Sequence, residues 1–342
     1  MSWLKPTSEL LHRLNRAVKN PRLKFAAILL ADLFHMRHLI VRLDVVNACN
    51  LRCGMCFFSD PAWRKAHMKG QFKKAEIERL AAMFFGDALQ VHFGCAMEPT
   101  MFRDYPWLIE LAKQHRVPFV GFTTNGQLLG QPAYERMARA GLDEITVSTH
   151  GVRKATYENL MPGANYERFL ANLTMIDAVN RKAGPSAPKL RINYTICPAN
   201  LDELENFFEV YGGLGIATIQ LRPIADFGAT AYFDKDLRPH LDRYNIAIER
   251  MIAACKSRSI ALLVNRSDPA HERPNPAASV YLTGVLRYLN PNVVWRDDFD
   301  WRTTDYRAHK RRLGWRRQIL AQIIARNSTV PAPSHQAIFE AY

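Results

Sequence analysis

The sequence predicts an α/β fold built on a parallel sheet, and two observations carry that expectation. Strand and helix signals alternate six times between residues 39 and 225, joined by short turns. The composition is 48% hydrophobic and 23% charged, ordinary globular values that exclude a disordered, collagen-like or coiled-coil chain. Ile40–Val46 alternates apolar with polar residues and is rich in β-branched side chains, a half-buried strand. Lys73–Phe85 carries Ile77, Leu80, Ala81 and Phe84 at helical spacing. A strand at Leu89–Phe93 precedes a helix at Trp107–His115. The strand Val117–Phe122 is broken by Asn125-Gly126, and the helix Ala133–Ala140 stops on Gly141. Glu144–Ser148 is a fourth strand with the helix Tyr166–Arg181 behind it; Leu190–Ile196 and Ala217–Leu221 flank a helix at Leu201–Tyr211. Six such units suit an open or closed α/β barrel better than a small doubly wound sheet.

The first strand runs into Asn47-Ala48-Cys49-Asn50-Leu51-Arg52-Cys53-Gly54-Met55-Cys56, so three of the six cysteines share a C-x3-C-x2-C loop. Zinc takes four ligands, usually as two CxxC-type pairs, and Cys95, Cys197 and Cys255 supply no second pair. A zinc site and plain buried thiols stay as the bland alternatives. Three thiolates on one loop suit a cubane [4Fe–4S] cluster with one iron left open for a substrate or cofactor. The loop also lies at the carboxyl end of a strand, where barrel enzymes place their chemistry.

CNLRCGMCF after an N-terminal strand resembles the signature of radical S-adenosylmethionine (SAM) enzymes. Over about residues 39–225 the resemblance implies a partial (β/α)6 TIM-like barrel. It also implies a [4Fe–4S] cluster on Cys49, Cys53 and Cys56, with SAM chelating the fourth iron and yielding a 5′-deoxyadenosyl radical. Phe93-Gly94-Cys95-Ala96-Met97-Glu98-Pro99 is similar to the family's Gly-Gly-Glu-Pro segment, which assigns the SAM ammonium group to Glu98. Ala96 and Met97 stand where glycines are usual. Thr123-Thr124-Asn125-Gly126 resembles a further segment that brings Asn125 to SAM, although Asn-Gly alone also makes a turn. Val147-Ser148-Thr149-His150-Gly151 is like the family's Val-Ser-x-x-Gly, where the Ser148 hydroxyl reaches SAM and His150 replaces a commonly acidic residue. Arg168 and Arg222 are candidates for the SAM carboxylate by placement alone. Cys95 and Cys197 fall at strand ends, where a thiol could donate a hydrogen atom, although free cysteines ordinarily pack as small hydrophobes. The resemblance leaves the substrate unidentified: a small molecule or peptide is expected first, RNA or a lipid-linked substrate behind it, with a flavodoxin or ferredoxin as electron donor. No cysteine follows Cys255, so an auxiliary cluster is not expected.

The formal charge of +14 is unevenly spread. Residues 1–38 and 295–342 carry +9 of it, leaving a near-balanced middle. We therefore divide the chain into an N-terminal helical extension (1–38), a core (39–264) and a basic C-terminal extension (265–342), with the Pro-rich Asn265–Ala278 as boundary or surface loop. Tyr306–Arg326 holds seven Lys/Arg and no acid, with Ile319, Leu320, Ile323 and Ile324 read as one apolar face. Nucleic acid, anionic lipid, an acidic redox partner and a plain solvated face compete for it. The alternative function is a non-catalytic metal-binding protein whose basic ends bind nucleic acid or anionic membrane. No run reaches the roughly 18 apolar residues of a membrane span, and reduced clustered cysteines suit the cytoplasm, with peripheral membrane contact a further option.

Overall fold

In a computed structural model, which describes residues 17–225, 230–232, 234–274, 276–325 and 340–342, the chain builds one sheet with helices on its outer side. Its strands are β1 Leu39–Leu43, β2 Ala88–Phe93, β3 Phe119–Thr124, β4 Glu144–Thr149, β5 Lys189–Ile196, β6 Ile216–Pro223, β7 Ala261–Val264, β8 Leu286–Leu289 and β9 Glu340–Ala341. β1 to β7 lie side by side in chain order, β8 pairs with the free side of β1, and the two-residue β9 runs antiparallel to β7. The edges β8 and β9 are not paired with each other, so the expected partial TIM-like barrel is present and open. It has eight parallel strands instead of six. The two additions, ALLV and LRYL, have four residues each, too few to display a period in sequence. β8 lies beyond residue 264, so the sheet itself draws on the C-terminal segment.

Alternation along the strands sorts side chains between two environments. Val41, Leu43, Val91, Phe93, Val120, Phe122, Ile145 and Val147 are fully buried against the helices. The intervening residues line the inner face: Arg42 lies opposite His92 and Tyr288, Thr123 opposite Thr146, Ser148 opposite Asn193, and Thr195 opposite Arg222. Outside, the helix Lys74–Phe84 buries Ile77, Leu80, Ala81 and Phe84, the face its spacing predicts. The expected helix Leu201–Tyr211 is instead a 3-10 turn, Leu201–Asn206, followed by a short helix, Phe207–Tyr211. Its Glu203 carboxylate turns inward and accepts the N–H groups of Val152 and Arg153 at 2.7 and 3.1 Å, a tie that favours the tighter turn.

The two ends of the chain meet. Asn20 caps the helix Pro21–Leu33, and proline at its first position suits the entry. This helix runs antiparallel to Trp315–Ile324: Arg22 donates to the Ala325 carbonyl at one end (2.6 Å), and Arg316 Nε donates to Asp32 at the other (2.7 Å). Phe25, Ile28, Val280, Trp315 and Ile319 form the core beneath the pair. The apolar face read at 319–324 is therefore split: Ile319 is buried, whereas Leu320 and Ile324 are exposed, because only one narrow stripe of the helix touches its neighbours. Asn265 is buried and braces its loop through Asp268 (2.7 and 3.0 Å), so the Pro-rich segment begins tightly packed. Lys5, Arg13, Arg16 and Arg326 lie outside the described residues. Among the described residues no helix is long and apolar enough to cross a membrane.

Candidate functional site

The cysteine loop leaves the carboxyl end of β1 and is held from below and across. Arg52 N–H and Gly54 N–H donate to the carbonyls of Pro162 and Leu160 (both 3.0 Å), tying the loop to the segment after β4. Within it, Cys56 N–H donates to the Cys53 carbonyl and the Ser59 hydroxyl to the Cys56 carbonyl (2.9 and 2.7 Å). Cys49, Cys53 and Cys56 are all partly accessible and unbridged. Burial pushes the Cys49 thiol up to about 12, and Cys53 is pushed well up by burial and by the two neighbouring thiols. The three sulfurs thus share one space, where thiolates need a positive partner. Among the described residues no three His, Cys, Asp or Glu side chains converge tightly enough for a single ion. A cluster spreads its thiolate ligands over separate irons and needs thiols around a space, not aimed at a point. The donor set fits such a group.

Asp44, two residues past Arg42 on the same face, shapes the neighbouring turn. Its carboxylate accepts the N–H groups of Cys95 and Ala96 (2.8 and 3.0 Å) and the Tyr288 hydroxyl (2.7 Å). Gly94 enters that turn at φ +77°, with a Cβ there 2.1 Å from the Thr123 carbonyl, so only glycine fits. Glycine is thus required at one position, and Ala96 and Met97 are accommodated because Asp44 holds the backbone.

The turn delivers Glu98, 3% exposed, between the ends of β1, β2 and β3. Its Oε1 accepts from Thr100 Oγ1 (2.5 Å) and Thr124 Oγ1 (2.7 Å), and its Oε2 from Asn125 N–H (2.8 Å), while its own N–H donates to the Ala48 carbonyl. Burial raises its carboxyl, and these donors oppose the rise. Oε2 retains capacity for a further donor. Asn125 Nδ2 donates to Asn50 Oδ1 at 2.8 Å and lies 3.8 Å from Cys49 Sγ, so the structure joins Glu98 and Asn125 to the cysteine loop. Ser148 is partly exposed on the inner face of β4.

The other candidates separate. Arg168 is exposed on the outer helix Tyr166–Ala183, away from the inner face. Cys197 is buried in the apolar core, and Cys95 donates to the His92 carbonyl (3.6 Å) with its thiol pushed up by burial. His150 accepts the Thr195 N–H at Nδ1 (3.4 Å), and burial and Arg222 depress it to about 4, leaving it neutral. Arg222 sits deep between the strands yet open to the interior space, depressed to about 10 by burial and by Arg42 and Arg191. Arg191 is neutralised by Glu144 (3.5 Å) and bonded to Gln220. Arg222 has no carboxylate partner among the described residues, whereas Arg42, 5.8 Å from the Tyr281 ring, is raised, despite its burial, by Tyr281, Cys95 and the Asp44 carboxylate nearby. Among the described residues the inner face therefore presents one guanidinium group, that of Arg222, with no carboxylate near it, and Arg42 beside it. Sequence reasoning passed over Arg42, Asp44 and Arg191, although the period-2 alternation that marked their strands also placed them on the face opposite the apolar residues.

Comparison with known proteins agrees with this geometry. The model of the Radical SAM superfamily matches residues 43–210. A probable GTP 3′,8-cyclase of Saccharolobus islandicus is 26% identical over 226 residues, 62% of this chain and 67% of the relative. Streptococcus suis SuiB bound to S-adenosylmethionine has the same fold, with a TM-score of 0.60 at 15% identity over 75% of this chain and 59% of SuiB. SuiB bound to its precursor peptide SuiA gives 0.59 at 16% identity, over 75% of this chain and 58% of SuiB. The chain thus spans under two thirds of the length of SuiB. With its three-cysteine loop at the carboxyl end of β1, the chain belongs, through residues 43–210, to the radical SAM superfamily.

Proposed function

We propose that this chain is a radical SAM enzyme acting on a small molecule or peptide that carries an anionic group. The observation that carries the reading is the convergence of the three-cysteine loop, the Glu98–Asn125 pair beside Cys49, and the guanidinium groups of Arg222 and Arg42 on one inner face. Members of the superfamily use a [4Fe–4S] cluster and SAM. In this reading Cys49, Cys53 and Cys56 hold the cluster. Glu98 takes the SAM ammonium through Oε2, and Asn125 and Ser148 orient SAM from the ends of β3 and β4. When bound, the cluster supplies an electron that cleaves SAM to methionine and a 5′-deoxyadenosyl radical able to take a hydrogen atom from the substrate. Arg222 and Arg42 hold the substrate's phosphate or carboxylate, a task suited to the planar guanidinium fork. The cyclase relatives, named for a nucleoside triphosphate, favour this assignment. The electron comes from an external flavodoxin or ferredoxin.

Anaerobic reconstitution tests the reading. The chain should take up about four irons and four sulfides, and release 5′-deoxyadenosine from SAM under a strong reductant. Cys53→Ala should abolish both. Uptake of zinc alone, or no SAM cleavage by a fully loaded chain, would favour a non-catalytic metal protein and overturn the proposal.

A further inference from the structure

The paired terminal helices carry a feature that neither the sheet nor the cysteine site uses. Fourteen large apolar residues are exposed among the described residues, and eight of them belong to this pair and its flanking turns: Val18, Leu23, Leu30, Leu33, Phe34, Met36, Leu320 and Ile324. Leu23, Ala27, Leu30 and Phe34 follow at spacings of four, three and four, a straight stripe along one side of the helix. Phe25, Ile28, Trp315 and Ile319 point into the core under the pair, so the stripe and Leu320 with Ile324 occupy its outward side.

Positive charge borders the same surface. Where the C-terminal end of the first helix meets the start of the second, a cleft of about 410 Å³ is lined by Leu33 and His35 together with Arg307, Arg311, Arg316 and Arg317. Two carboxylates also line it, and both are engaged: Asp32 by Lys310 and Arg316, and Asp87 by Arg307 at 2.9 Å. Arg311 and Arg317 are exposed and have no ion-pair partner among the described residues.

We propose that this surface docks the protein on an anionic phospholipid bilayer. The apolar stripe enters the headgroup boundary and the arginine cleft receives a lipid phosphate. Charge complementarity selects this occupant. A second copy of the chain would set cationic cleft against cationic cleft, and single-stranded RNA would call for stacking aromatics where this face offers mainly aliphatic side chains. Docking also brings a neighbouring cleft of about 600 Å³, which runs from Arg42 and Cys95 to Trp315 and Gln318, close to the membrane. Radical SAM chemistry is not needed for this inference; no residue of the cysteine loop lines the arginine cleft.

The test uses the full chain sedimented with vesicles of phosphatidylcholine alone and of phosphatidylcholine mixed with phosphatidylglycerol. Binding is expected only with the mixed vesicles and should weaken steeply as salt is raised. Arg311→Glu with Arg317→Glu should lower the partition coefficient at least about tenfold. Leu30→Ser with Phe34→Ser should do the same. Circular dichroism should be unchanged in each, as should SAM cleavage. Equal binding to neutral and mixed vesicles, or charge-reversed protein that binds like the parent, overturns the proposal. So does a Phe34-dependent dimer, or RNA binding lost with the same arginines while vesicles stay unbound. Should a variant misfold, the salt series and the two vesicle types on the parent chain still decide.

Discussion

At the scale of the residue, Glu98 and Arg222 have opposite environments, and that contrast sets what each can do. Glu98 is buried and braced by donors from Thr100, Thr124 and Asn125, so it is a fixed acceptor with capacity left on one oxygen. Glu98→Gln preserves shape but removes the charge; we expect SAM to bind about tenfold more weakly to the iron-loaded protein, by calorimetry, with iron content unchanged. Unchanged affinity would make Glu98 solely a staple between strand ends. Arg222 is a cation with no counter-charge among the described residues, and Arg42 and Arg191 are close enough to depress it. Arg222→Gln should weaken binding of pyrophosphate, used as an anionic probe, about tenfold while leaving SAM affinity intact. Loss of SAM affinity instead would assign Arg222 to the SAM carboxylate. The three-cysteine loop was legible in the sequence because its spacing is local. The pairing state of an arginine was not, since it depends on what the other strands bring near.

Among elements, the contact between the two terminal helices is held by one acid. Asp32 is 4% exposed, with Lys310 and Arg316 closing on it and His38 at 3.7 Å. The bonds from Lys310 and Arg316 outweigh the opposing effect of burial and keep its carboxyl below the usual range. Removing one partner of a buried ion pair leaves the other uncompensated, so Asp32→Asn should cost about 3 kcal/mol in urea denaturation and loosen both helices. A loss below about 0.5 kcal/mol would mean that the apolar core of Phe25, Ile28, Trp315 and Ile319 alone fixes them. Helix existence here was visible from spacing, and so was the basic run. That the two segments, about 300 residues apart, form one antiparallel pair was not, because apolar periodicity states that a face is buried without naming its partner.

For the whole molecule, the inner face of the barrel governs the response to pH. His92 and His150 are held at about 3 and about 4, by burial and by the arginines around them, against 6.5 for a free imidazole. Below that free value the unfolded chain binds protons that the folded chain refuses, so stability falls with pH until the folded values are passed. His38, also depressed, acts in the same sense, and Asp32 adds its loss only at lower pH still. Burial raises the carboxyls of Glu98, Asp44 and Glu144, which pull the other way. The test is therefore differential: between neutral pH and about pH 5 the parent should lose more melting temperature than His92→Gln. Parallel profiles for the parent and His92→Gln would refute the buried, neutral state of the His92 ring. By itself the sequence determined the α/β class, six of the strands and the cysteine loop, because alternation, turn residues and ligand spacing are written within a few neighbours. Only the tertiary structure decided that eight parallel strands leave the barrel open, that Asp44 shapes the turn presenting Glu98, that Arg222 and Arg42 come together on the inner face, and that the two terminal helices unite into one surface. Each of those is a contact between residues distant in the chain, and such a contact exists only once the sheet has set its register.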